Sequence, residues 1–156
     1  MIFHRAAAKF CHDCDMQLEH FATLTLATAS DRLWMLGATP VGTRIIQEIS
    51  EARIEGPKLN ASLIGGANAD WLAIDGQGVG TFDIRMTLRT DDGVPIYLAY
   101  KGRADWSGGL GKGPVFVGAE FEAGDEKYRW LNGLHLFGRG EVGEGGKLVY
   151  EFYQAQ

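Results

Sequence analysis

The chain has 156 residues, of which 22 are glycine, 46% hydrophobic and 11% aromatic. That length makes one domain, the aromatic content excludes a disordered chain, and the lack of a Gly-X-Y period excludes a collagen helix. With 15 Lys and Arg against 20 Asp and Glu, the net charge is −5, so there is no basic excess to drive nucleic-acid binding.

Residues 1–17 read as an N-terminal tail and 18–156 as a single domain. The opening Met1 to Asp15 contains no apolar run of secretory-signal type. No stretch approaches the ~20 apolar residues of a membrane span, so the cytoplasm is the expected compartment. The two cysteines fall in Cys11-His12-Asp13-Cys14. Half a zinc site could be built there, but tetrahedral zinc takes four ligands and no second Cys pair follows. A reduced pair in the tail, and no bound metal, is the expectation.

From Leu18 onward the pattern alternates with period two and is broken by glycine, as strands and hairpins require. Strands are expected at about 18–28, 43–54, 59–66, 70–75, 78–90, 94–102, 115–123, 132–141 and 147–154. Thr90-Asp91-Asp92-Gly93 is the clearest turn, with Asp91 and Asp92 shaping a hairpin. Asp75 to Gly78 and Glu144 to Gly146 mark two more. The expected fold is all-β: a closed antiparallel β-barrel of about eight or nine strands, since closure removes exposed edges without helices.

On the strand Val79 to Thr90, Phe82, Ile84, Met86 and Leu88 share one side, and Thr81, Asp83, Arg85, Thr87 and Arg89 the other. The polar side is either a solvated face or the lining of a ligand cavity, as hollow barrels hold one small ligand. The cavity-lining alternative is carried forward. Asp83 or Asp70 would then serve as general acid or base, since a carboxylate in a partly apolar cavity has its pKa raised. Arg85 would stabilise an enolate, phenolate or carboxylate through its fork of donors. Tyr97 and Asn132 would orient the substrate, and Trp71 and Trp130 would wall an aromatic ligand. If Asp83 and Arg85 simply pair, Asp83 becomes a poor base.

Two glycine motifs do not bear nucleotide chemistry. Gly138-Arg139-Gly140-Glu141-Val142-Gly143 fits G-x-G-x-x-G, but no helix follows to hold a pyrophosphate. Gly108 to Gly113 lacks the spacing and the hydroxyl residue of a phosphate loop and reads as a flexible loop with gating potential. No cofactor is expected. No G-x-S-x-G or H-E-x-x-H is present.

Several stretches together resemble the domain-of-unknown-function 3237 family, an uncharacterised family. They are Leu18-Glu19-His20, Glu55 to Leu59, Gly65-Gly66-Ala67-Asn68-Ala69-Asp70-Trp71, Asp83 to Tyr97, Phe121 to Gly124 and Tyr128 to Asn132. The resemblance implies a barrel similar to allene oxide cyclase and dirigent barrels, often homo-oligomeric. Such barrel relatives steer or cyclise reactive small molecules without a cofactor, and Trp71 and Trp130 lead to the expectation of a hydrophobic or aromatic small molecule in the pocket. The expected activity is cofactor-independent isomerase, cyclase or lyase chemistry; the alternative is a non-catalytic ligand-binding protein using the same pocket. The segment Arg103 to Pro114 is shorter and richer in glycine than the family pattern.

Overall fold

A computed structural model describes residues 16–156; the expectations for Cys11, His12 and Cys14 lie outside the described residues. Eight strands form a closed barrel: β1 (Leu18–Thr39), β2 (Gly42–Glu55), β3 (Asn60–Ile74), β4 (Val79–Thr90), β5 (Pro95–Asp105), β6 (Val115–Glu122), β7 (Leu136–Val142) and β8 (Leu148–Ala155). Each strand pairs antiparallel with the next, and β8 closes on β1 with Leu18 opposite Ala155. The closed antiparallel barrel is as expected, with eight strands.

Three boundaries differ from the sequence reading. The segments at 59–66 and 70–75 are one strand, β3, because a bulge at Gly65 to Asn68 bends the chain without ending its pairing. β1 runs on to Thr39 past polar Ser30-Asp31-Arg32, which sit in a bulge opposite Glu48. Residues Glu126–Gly133 form a 3₁₀ helix ahead of β7. Its N-cap Asp125 accepts from the Lys127 backbone N–H at 2.9 Å, which favours the helical turn.

The interior is apolar. Phe82, Ile84, Met86 and Leu88 of β4 point inward with Ile96, Leu98 and Tyr100 of β5 and Tyr150 and Phe152 of β8. One end is plugged: Leu131 of the 3₁₀ helix is fully buried, and Phe21 packs against Phe121 with ring centres 6.1 Å apart. The Thr90 hairpin is pinned here, Gly93 N–H donating to Thr90 O at 2.8 Å and the Tyr128 hydroxyl to Asp92 at 2.7 Å. Asp91 receives both arms of the Arg53 guanidinium at 2.5 and 2.9 Å.

Gly138 and Gly140 have a packing role. Both lie on β7, where the Phe152 and Tyr150 rings cross the interior in parallel, 6.2 Å apart. A Cβ at Gly138 would stand 2.7 Å from the Phe152 ring, and one at Gly140 would run into the Tyr150 ring. Gly140→Ala is therefore expected to cost roughly 1–3 kcal/mol through overpacking, read as a lowered urea midpoint. A midpoint equal to the parent's would show that Tyr150 is free to move aside.

Candidate functional site

The bulge in β3 decides what enters the barrel. Before it, Ala61 and Leu63 face inward, opposite Thr90 and Leu88. Gly65, Gly66, Ala67 and Asn68 then stand opposite Met86 alone. This odd excess of residues reverses the alternation, since side chains switch faces at every position. After the bulge the even-numbered residues point inward, and Asp70 faces the same side as Ile84. Asn68, 2% exposed, holds the bulge. Its amide donates to the carbonyls of Ile64 (3.1 Å) and Gly65 (2.8 Å), and its oxygen accepts from the Thr87 backbone N–H at 2.8 Å.

Asp70 sits in a cavity of about 290 Å³ at the end opposite the plug. Leu26, Ile45, Leu72, Phe82, Ile84 and Leu148 line it, and Leu33, Leu110, Gly111, Glu141 and Val142 stand around its mouth. The glycine-rich segment between β5 and β6 thus contributes to the rim. Burial pushes the Asp70 pKa up to about 7, and the nearby Asp83 carboxylate adds to the rise. The Asp83 backbone N–H, donating to Asp70 Oδ1 at 3.3 Å, and the Arg44 charge oppose it. Gln47 is the direct neighbour of Asp70 on β2, and its amide donates to Ala29 O at 2.8 Å. Tyr150 lines the cavity, with the Tyr100 ring 5.0 Å away. Burial raises both phenol pKa values, so both keep their protons. Asn68, Gln47 and Tyr150 were not singled out as site residues from sequence. The Gly65-Gly66 pair followed by Asn was the available signal for the bulge.

The remaining expected site residues lie elsewhere. Asp83 and Arg85, expected to line the cavity, are on the outer wall because their strand turns Phe82, Ile84 and Met86 inward. An eight-stranded barrel is narrow enough for apolar side chains to fill most of it. The two pair outside: Arg85 donates to both Asp83 oxygens at 3.0 and 2.9 Å. That hydrogen bond holds the Asp83 carboxyl below the usual carboxylate range, which makes it a poor base. The Arg85 guanidinium also lies 5.3 Å from the Trp71 ring centre, so Trp71 braces the outer wall.

Tyr97 and Asn132 border an outer groove of about 880 Å³ between β5, β6 and the 3₁₀ helix. The Asn132 amide is engaged with Ala123, accepting from its N–H at 2.7 Å and donating to its carbonyl at 3.0 Å. Trp130 packs near Phe21 at the plugged end, ring centres 6.3 Å apart. Of the seven expected residues, only Asp70 reaches the cavity. Arg85→Ala is accordingly expected to leave binding of aromatic ligands unchanged and to lower thermal stability only slightly. Loss of ligand-induced stabilisation in that variant would place Arg85 in contact with the ligand after all.

Among the described residues no three His, Cys, Asp or Glu side chains converge as a metal site, and no helix is long and apolar enough to cross a membrane. The barrel is apolar inside and carries Asp83, Arg85 and Lys101 outside, the reverse of the polarity of a lipid-facing barrel.

Residues 16–155 match the family model described as a protein of unknown function, DUF3237. The chain belongs to this family. A β-barrel-like protein from Acinetobacter baumannii is 28% identical, with a TM-score of 0.76 over 90% of this chain and 96% of that one. A protein of unknown function from Clostridium acetobutylicum is 19% identical, with a TM-score of 0.78 over 90% and 100%. A protein from Penicillium herquei described as an enzyme is 20% identical, with a TM-score of 0.70 over 90% and 95%. A comparison with curated protein sequences finds no match. For this DUF3237 chain the two more distant likenesses establish the barrel fold. The stretch Gly65 to Trp71, one of those on which the resemblance rests, contains the bulge that turns Asp70 inward.

Proposed function

We propose that this barrel binds a hydrophobic, aromatic or polycyclic small molecule in the cavity and acts on it by cofactor-independent acid–base chemistry, with Asp70 giving and taking the proton. The observation that carries this reading is a carboxyl buried in a mostly apolar cavity, away from Glu141 at its mouth, with its pKa raised to about 7. A general acid–base group works best when its pKa lies near the operating pH. Isomerisation, cyclisation and lyase steps all need a proton delivered at one substrate atom and removed at another. Asp70 can do either, while Tyr150 offers a permanently protonated donor beside it. Asp83 contributes through its backbone N–H, which orients the Asp70 carboxyl. The description of the Penicillium barrel as an enzyme supports the catalytic reading at the level of fold.

Hydrogen–deuterium exchange tests it. Neutral aryl ketones with enolisable C–H bonds would be incubated with protein in D₂O and followed by NMR. Wild type is expected to accelerate exchange, and Asp70→Asn to lose at least about 10²-fold of that acceleration. Ketones that bind without exchanging would favour the alternative, a non-catalytic binding protein using the same cavity.

Leu33, Trp34, Met35, Leu36 and Val41 are all exposed on the β1–β2 hairpin. An apolar surface of this kind supports a homo-oligomer. Sedimentation is expected to give a mass above 17.1 kDa that falls toward the monomer in Trp34→Lys. A monomeric wild type would end that reading.

A further inference from the structure

The ligand's polar character can be read from what the cavity offers it. Trp106 follows the end of β5, its backbone N–H donating to Gly78 O at 2.9 Å. Its ring folds over the barrel end, edge-on to Phe82 at 5.2 Å and close enough to Gly80 that a Cβ there would lie 3.3 Å away. Trp106 is among the cavity's lining residues, and its Nε1 is closed over by its neighbours, with no hydrogen-bond partner among the described residues. The Tyr100 hydroxyl, deeper in the core, is in the same position. An indole N–H can only donate, and a buried donor left unpaired carries its desolvation cost in full.

Charge narrows the choice further. No Lys, Arg or His is among the described residues that line this cavity, and Asp70 and Glu141 are its acids. An anionic ligand would enter an apolar space with no counter-charge.

Resting on the reading of the interior as the ligand site, we infer that the cavity selects a neutral molecule bearing acceptor oxygens, one of them accepting from Trp106 Nε1–H once the ligand parts the side chains that close over it. Trp106 is then a specificity-determining residue. A site built to donate a hydrogen bond rejects analogues lacking the acceptor, because its own donor is left unpaired. An ammonium ligand would suit the acids but leave the indole unsatisfied.

Five naphthalene probes separate these cases: 2-ethylnaphthalene, 2-acetonaphthone, 6-methoxy-2-acetonaphthone, 6-methoxy-2-naphthoate and 1-(2-naphthyl)ethylamine. Binding would be measured at pH 6 for wild type and Trp106→Phe. The ketones are expected to bind wild type more tightly than the hydrocarbon, the anion and the amine. Trp106→Phe should weaken the ketones about tenfold, the worth of one hydrogen bond, and ethylnaphthalene by less than about twofold.

Indole ¹H–¹⁵N resonances of the full chain supply a readout that needs no stable Trp106 variant. The Trp106 signal, assigned by elimination through Phe variants of Trp34, Trp71 and Trp130, should move downfield with the ketones and not with the hydrocarbon. Equal losses for every probe in Trp106→Phe, no ketone-dependent shift, or tightest binding of the anion or the amine would overturn the inference. If wild type binds no probe, the interior site itself falls. If the ketones bind through Trp106 but exchange no deuterium, only the catalytic proposal falls.

Discussion

Asp70→Asn is expected to match the parent's stability near pH 3 and to exceed it at pH 8. The sign follows from the raised pKa. Below the ordinary value of 3.8 the carboxyl is protonated in both the folded and the unfolded chain. As pH rises from there to about 7, the unfolded chain releases the proton and the folded chain keeps it, so stability falls throughout that window. Above it the folded protein holds a buried carboxylate and the full cost is expressed. Three units at 1.36 kcal/mol each give on the order of 4 kcal/mol, or a melting temperature roughly 10 °C higher for the Asn variant at pH 8. Calorimetric scans of both proteins from pH 3 to pH 8 would read this directly. Parallel curves across the range would show that Asp70 titrates normally, and the acid–base proposal would lose its basis. Gain of stability with loss of proton-transfer activity is the pattern of a group held for function at the fold's expense.

Asn68→Ala is expected to cost about 2–4 kcal/mol, because it strands the Thr87 N–H and two carbonyls at once. The same change should move the Asp70 pKa back toward the ordinary carboxylate range, as the bulge slackens and water reaches the carboxyl. Urea denaturation and ¹³C titration of the Asp70 carboxyl measure the two effects independently. Asn68→Asp, which keeps the acceptor for Thr87 and loses the donors, should fall between Ala and the parent. If the Ala variant shows parental stability and an unchanged Asp70 titration, the bulge does not depend on this side chain.

Much of the architecture was legible because glycine turns and period-two runs are local signals. The Asp-Gly hairpin, the alternating β4 and the closing strand at 147–154 all follow from them. Which face of β4 turns inward was a separate question. Alternation separates two faces and does not itself say which is enclosed; the interior volume decided it, and eight strands leave room for Phe82, Ile84 and Met86 but not for Asp83 and Arg85. Asp70 was identified by chemistry and proximity to Trp71, not by direction. Read as uninterrupted alternation from Ala61, residue 70 would fall on the outer face, and only the excess residues of the bulge bring it inside. Asn132 and Trp130 were misplaced for a different reason. Their positions depend on a 3₁₀ helix folded across the far end of the barrel, where Asn132 is tied to Ala123 nine residues back and Trp130 meets Phe21 from the opposite end of the chain.

The seam between β1 and β8 brings Gln17 and Gln156 together, with the Gln156 N–H donating to Gln17 O at 2.9 Å. Both lie at the plugged end, away from the mouth. A short peptide joining these two positions, in place of residues 1–16, would span almost no distance, so the chain could be reopened at the exposed turn Gly76-Gln77 with the ladder intact. Such a circular permutant would separate β3 from β4 in sequence while leaving the ring of strands unchanged. A surface tether attached at the original seam would hold the barrel with its cavity facing outward into solution.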